Sequence, residues 1–183
     1  MTTSRPRVVS LASDDAHRFS KHVAQEVRVV EGSGVVGDAH AGATVQHRSR
    51  VRADPTQPNL RQVHLIHAEL LDELAGSGFD VAPGDLGENI TTRDVDLLGL
   101  PRGTRLAIGP EVVLEVTGLR NPCQQINDFW PGLLKQVLTP DGAGGVVRRA
   151  GIMSVVRQGG TISAGDTIEV TRPETEHRPL APV

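Results

Sequence analysis

The sequence predicts a mainly β protein with a few helices, its strands forming a closed or nearly closed β-barrel. Three observations carry this. Short apolar, β-branched segments recur along the chain, bounded by Gly, Pro, Asn or Asp. Helical spacing of apolar residues is confined to the middle of the chain and the stretch after Pro122. Neither an internal repeat nor a strand–helix alternation of the parallel kind is present, which argues against a doubly wound sheet.

The elements follow in order. Residues 7–12 and 25–30 read as strands, and so do residues 63–66. Ile66, Leu70, Leu71 and Leu74 share one helical face, which predicts a helix over 67–75 that Gly76 or Gly78 stops. Residues 105–108 and 112–117 flank Gly109-Pro110 as a hairpin. A second helical region covers 122–138, broken by Pro131-Gly132. Residues 146–157 and 167–170 are the last strands, with Gly159-Gly160 as the turn between them. Residues 47–59 form a long polar segment with Pro55 and Pro58, which predicts a binding loop or lid beside the functional pocket, mobile without ligand. Residues 1–6 and 172–183 are rich in Pro and charge and are expected to be frayed, so one domain over 1–171 precedes a flexible tail.

Composition narrows the function. Over 183 residues, 38% apolar and 22% charged content suits a globular domain with a real core. No run is long and apolar enough for a membrane span, and no secretory signal is visible. A single cysteine excludes an internal disulfide and suits a reducing cytoplasm. A net charge of −3 and 2% aromatics give no footing for nucleic-acid binding. Lys21 and Lys135 are the only lysines, which leaves few candidates for a Schiff base, so pyridoxal phosphate is not expected. The arginine preference suits two-point recognition of phosphate or carboxylate, and codon bias accounts for it equally well.

Gly32-Ser33-Gly34-Val35-Val36-Gly37 matches a dinucleotide fingerprint, but no helix follows to receive a pyrophosphate, so a glycine-rich turn is the better reading. His64 and His67 lack further ligands for zinc. His40 and His47, with Arg48, Arg50 and Arg52, form either an anion pocket or a solvated basic loop. Asp85 and Glu88 are either an acid–base pair or carboxylates that tie down a turn.

Cys123 is the most informative position. In Arg120-Asn121-Pro122-Cys123, Asn suits a helix N-cap and Pro the first helical position, which predicts Cys123 in a first helical turn on the rim of a pocket. The helix dipole, free backbone N–H donors and Arg120 there favour thiolate over thiol. A buried inert cysteine is the competing reading.

Four blocks, in order and spacing, resemble the MOSC domain, the C-terminal domain of molybdenum-cofactor sulfurases. They are residues 37–42 (GDAHAG), residues 83–90 (PGDLGENI), residues 121–123 (NPC), and the glycines from Gly160 to Gly165 before Asp166. The resemblance spans about residues 7–170 and looks like a free-standing bacterial member, similar to the hydroxylaminopurine-resistance proteins. It implies a MOSC-type β-barrel that binds the molybdenum cofactor through its molybdopterin, with Cys123 as molybdenum ligand or sulfur carrier. Asp38, Glu88 and Asn89 match motif positions and are expected to shape the pocket. His40, Arg48, Arg50, Arg61, Arg120 and Asn121 are the remaining candidates for cofactor binding, and Arg52 is a further arginine by chemistry alone. The implied activity is reduction of small N-hydroxylated compounds with electrons from a separate donor protein. The alternative is a carrier of the cofactor, or of sulfur destined for it, without turnover.

Overall fold

The computed structural model describes residues 5–183, so residues 1–4 of the segment expected to fray lie outside the described residues. Period-two burial marks several of the strands, and the central ones are buried continuously. In β3 (Glu26–Val30), preceded by β1 (Arg7–Ser13) and β2 (His22–Ala24), inward Val27 and Val29 alternate with exposed neighbours. Next come β4 (Gly34–Val35), α1 (Arg48–Ala53) and β5 (Val63–His67). The helix α2 (Ala68–Gly76) follows directly and buries the predicted face of Leu70, Leu71 and Leu74. The strands β6 (Ile90–Arg93), β7 (Arg105–Ile108) and β8 (Val112–Leu119) lead to α3 (Gln124–Phe129) and α4 (Leu134–Val137). The chain ends through β9 (Leu138–Pro140), β10 (Val146–Arg148), β11 (Ile152–Gln158), β12 (Gly160–Ser163) and β13 (Ile168–Thr171).

Eight strands form one sheet in the order β13-β7-β8-β11-β5-β6-β1-β2, antiparallel except for β5 against β6. The start of β13 reaches back to β1 through one antiparallel bridge, Arg7 to Thr167. There Val8 N–H donates to Asp166 O (2.8 Å) and Gly165 N–H to Val8 O (2.9 Å). The sheet therefore curls until one end strand meets the last strand but one at the other end, and the contact is a bridge and not a ladder of paired strands. A three-stranded sheet, β12-β3-β4, and the β9–β10 hairpin complete the β structure. The main apolar cluster is built by both the large sheet and the three-stranded one, and includes Leu65, Ile90, Leu106, Leu114, Ile152 and Ile162. A smaller cluster lies under α2, α3 and α4, around Leu70, Leu86, Ile126 and Leu133. Among the described residues no helix is long and apolar enough to cross a membrane.

Several expectations are corrected. Residues 146–157 are not one strand. The chain breaks at Gly151, whose φ of +89° no strand residue adopts, so β10 joins the hairpin and β11 the large sheet. The long polar segment contains the helix α1, which buries no residue and so gave no amphipathic signal. The end of the tail is not loose. Leu119 N–H donates to Ala181 O (2.8 Å), Val183 N–H donates to Leu119 O (3.3 Å), and Leu180 packs on the main cluster.

Candidate functional site

A cavity of about 330 Å³ opens where the β4–β5 connection, the 18–21 segment, the turn before β6 and the β8–α3 junction meet. This is within the size range of small-ligand pockets. Its floor is polar and buried. Asp38 Oδ2 accepts from Lys21 Nζ (2.7 Å), Asn89 Nδ2 (2.9 Å) and more weakly the Asp14 N–H (3.4 Å). Asp38 Oδ1 accepts from the His40 N–H (2.9 Å) and pairs with His40 Nδ1 (3.2 Å). Burial alone raises the Asp38 pKa. The bond from His40 and the Lys21 charge outweigh that and hold the carboxyl well below its ordinary range. Burial pushes the Lys21 pKa down, and Asp38 opposes it.

Asn89 ties this floor to the sheet, since its Oδ1 accepts the His64 N–H (3.1 Å) and its Nδ2 also reaches Ala12 O (3.2 Å). His64 is enclosed, with Nε2 against Ala150 O (2.8 Å), and burial, with Arg120 nearby, holds it neutral far below its ordinary pKa. Glu88 lies deeper, not on the cavity wall. Its Oε1 accepts from the Gly84 N–H (2.6 Å) and Thr91 Oγ1 (3.2 Å), and burial raises its pKa. The turn at 84–87 needs its glycines. Both have positive φ, and a Cβ at Gly84 or Gly87 would sit 2.7 Å from Lys21 O or 2.6 Å from Phe19 O. That close approach delivers Phe19 and Lys21 to the cavity.

The wall is cationic around the thiol. Arg50, Arg61, Arg120 and Cys123 all line the cavity. Arg120 stacks over Phe19 (5.9 Å) and its backbone N–H donates to Gly151 O (3.0 Å), yet its buried Nη1 has no hydrogen-bond partner among the described residues. The buried Nε of Arg61 has none either. Burial lowers the Arg61 pKa to about 10, and Arg50 and Arg120 add repulsion, which charge at Cys123 opposes. Burial lowers Arg120 too, against the opposing charges of Cys123 and Glu88. His47 is held at about 4 by burial and then by Arg61, His40, Arg120 and Arg50.

Cys123 sits on the rim, half-buried, with Sγ 3.5 Å from Gln125 Oε1. The helix begins later than expected. Cys123 itself is the N-cap residue (φ −128°, ψ 171°), and Asn121 does not cap but accepts from Arg148 Nε (3.0 Å). The reason is tertiary: Arg120 is still bound at Gly151 O, just before β11, and Arg148 takes the Asn121 side-chain oxygen that a cap would need. With Cys123 outside a helix of only six residues, the dipole argument loses most of its force.

The structure thus brings together on one cavity His40, Arg50, Arg61, Asn89, Arg120, Asn121 and Cys123, with Asp38 beneath them. Arg48 and Arg52 are exposed and do not line it. Residues 47–59 do lie beside the cavity, through His47, Ser49, Arg50 and Asn59. Asn59 stitches the loop, donating to His40 O and Gly42 O (2.9 Å each). Sequence reasoning missed Phe19, Lys21, Asn59 and Met153 as lining residues. Only Lys21 carried a signal, as one of two lysines in an arginine-rich chain.

The cavity thus holds one thiol among guanidinium groups, above a buried carboxylate. The chain belongs to the MOSC family: the MOSC domain model matches residues 38–169. It is similar to a protein named "Reductase" from Gibberella moniliformis, at 29% identity over 143 residues, 75% of this chain, and spans 22% of that protein's length. Among solved structures, the YuaD protein from Bacillus subtilis superposes with a TM-score of 0.74 at 24% identity, covering 93% of this chain and 98% of its own. YiiM from Geobacillus stearothermophilus gives 0.64 at 15% identity (95% and 79%), and YiiM from Escherichia coli 0.59 at 18% (94% and 73%). These likenesses show the shared fold.

Proposed function

We propose that this protein binds the molybdenum cofactor in the Cys123 cavity and reduces small N-hydroxylated compounds, acting in a reducing cytoplasm with electrons from a separate donor protein. The observation that carries the reading is the pair of buried, unpartnered guanidinium donors, Arg61 Nε and Arg120 Nη1, on the same wall as the chain's only thiol. A buried donor without a partner is costly, so a wall with two of them is shaped for a ligand that supplies the acceptors. Phosphate does so, and the guanidinium fork matches it.

The residues present fit the cofactor. Arg50, Arg61 and Arg120 are the cations for its phosphate. Cys123 is the soft donor for molybdenum. When bound, the cofactor supplies two-electron redox chemistry at a centre that the thiol anchors.

The test is expression in a host that makes the cofactor, followed by metal and pterin analysis of the purified protein. The wild type is expected to carry both, and Cys123→Ser to lose molybdenum retention by at least about tenfold while keeping the fold. Reduced methyl viologen with a hydroxylaminopurine then tests turnover. Protein that carries neither metal nor pterin overturns the reading. Protein that carries both and reduces nothing supports the carrier alternative instead.

A further inference from the structure

We infer that His40, held by Asp38, is the group that delivers a proton to the substrate oxygen as the N–O bond breaks; this rests on the reductase reading above. Reduction of R–NH–OH to R–NH2 and water takes two electrons and two protons. The N–O bond breaks, nitrogen gains one proton and oxygen the other, and the electrons come from the donor protein through the cofactor. Hydroxide is a poor leaving group, so a positioned acid at the oxygen lowers the barrier.

Three imidazoles gather at this side of the molecule. The rings of His17 and His40 are 5.3 Å apart and those of His40 and His47 are 6.3 Å apart. Only His40 is built as a proton donor; His64 also lines the cavity but is buried, with Nε2 against Ala150 O (2.8 Å). The ring of His17 is tied to Gln46 O (3.0 Å), and His17 does not line the cavity. His47 lines it but is held neutral by burial and then by the charges around it, and its Nδ1 is engaged by Ser49 Oγ (3.2 Å). Lys21 lines it as well, but its ammonium is 3% exposed and locked on Asp38.

His40 differs on each count. Its ring is 27% exposed, so it can be re-protonated from solvent, and it lines the same cavity as Cys123. Its Nδ1 faces a carboxylate that is 1% exposed. Both oxygens of that carboxylate are pinned, by Lys21 and Asn89 on one and by the His40 backbone on the other. A fixed carboxylate at Nδ1 keeps the proton there in both states of the ring. That leaves Nε2, which has no hydrogen-bond partner among the described residues, as the end that exchanges a proton. Asn59 fixes the backbone at the same residue by donating to His40 O (2.9 Å). Asp38 is then a positioning residue and His40 the catalytic acid. The charged and titratable groups near the ring are Asp38, His17 and His47, with Lys21 behind Asp38 and the arginine wall beyond His47.

The experiment compares wild type with His40→Gln and His40→Ala, all loaded with cofactor, using reduced methyl viologen and a hydroxylaminopurine. Metal and pterin content are measured on every sample. Expected are unchanged loading, a fall in kcat of about 100-fold in both variants with little change in KM, loss of the alkaline limb of the kcat profile, and partial rescue of His40→Ala by added imidazole. Imidazole nitrogen NMR on the cofactor-free wild type is expected to show His40 with its proton on Nδ1. Variants that keep kcat and the alkaline limb overturn the inference alone, as does a proton found on Nε2 in neutral His40. A loaded or unloaded wild type that reduces nothing overturns the reductase reading and this inference with it.

Discussion

The main apolar cluster and the floor of the cavity are both buried and are held together by opposite means. Leu65, Leu106, Leu114 and Ile152 are sealed by shape, with no polar atom to satisfy. Asp38, Lys21, Asn89 and His64 are sealed by a chain of hydrogen bonds in which each member satisfies the next. Apolar contacts tolerate small shifts, because attraction between packed methyl groups is non-directional. A buried ion pair does not, because its desolvation is recovered only in good geometry. The first region makes the protein stable, and the second makes one arrangement of the cavity more favourable than any other.

The strongest way to break that contrast is to remove one charge from the floor. Lys21→Met keeps the volume and leaves the Asp38 carboxylate buried beside only neutral donors. We expect a loss of about 3–5 kcal/mol in urea unfolding, typical of an unpaired buried charge. Leu114→Ala serves as the apolar counterpart, at about 2–5 kcal/mol. The two are told apart by a second change. Adding Asp38→Asn recovers part of the Lys21→Met loss, while it adds its own cost to Leu114→Ala. Equal additivity in both backgrounds would mean that the floor is packing and not a charge network.

Acid has a smaller effect on stability. His64 and His47 have pKa values depressed from 6.5, His64 far down and His47 to about 4, both chiefly by burial. The unfolded chain takes up protons at these positions that the native state refuses, so their contribution is complete above about pH 6.5 and is lost as the pH falls toward 4. Below that, Asp38 adds to the loss. Its folded pKa is depressed, so its stabilisation is present above the unfolded carboxylate value of 3.8 and disappears as the pH drops through the folded one. Glu88 acts in the opposite sense, since its raised pKa lets the native state accept a proton first and relieves a burial cost on acidification. His67 is lowered too, chiefly by burial, so with three histidines against one glutamate the melting temperature is expected to fall between pH 6.5 and 4, and His47→Gln to flatten that slope. A melting temperature that rises over this window would mean that Glu88 dominates.

Much of the β structure was legible because Val-rich apolar runs mark strands such as β1, β3 and β8 wherever they occur. The strands that escaped, β2, β4, β6, β9 and β12, are short or begin on glycine, and exist because a neighbour offers an edge. Ile90-Thr91-Thr92-Arg93 pairs in parallel with β5, a partner no local pattern names. In the site, Cys123, Arg120 and Asn89 stood out because their motifs are local. Lys21 did not, because its meaning comes from Asp38, which only the fold sets against it. The helix start was misjudged for the same kind of reason, since Arg148, distant in sequence, occupies the Asn121 oxygen and the cap rule considers neighbours in sequence only.

The smallest expected effect concerns a junction between the two regions. The strand β8 belongs to the apolar cluster, and the residues just beyond it, Arg120 to Cys123, belong to the cavity. Leu119 is the hinge between them. One edge of it pairs with Ile152 of β11, and the other is covered by residues 181–183. Gly118 makes that cover possible, since a Cβ there would sit 2.4 Å from Ala181 O and 2.6 Å from a Val183 methyl. Deleting residues 180–183 removes two backbone hydrogen bonds and the Leu180 contact, a loss of about 1–2 kcal/mol. Most of the sheet keeps its pairing, so the change should be local. Amide exchange should quicken at Leu119 and Arg120 and stay slow at Leu65 and Leu114. Gly118→Ala should give the same pattern without shortening the chain, because the new methyl displaces the same residues. If exchange quickens evenly across β5, β8 and β11 instead, the segment supports the whole sheet, and the cavity wall has no separate hold on its hinge.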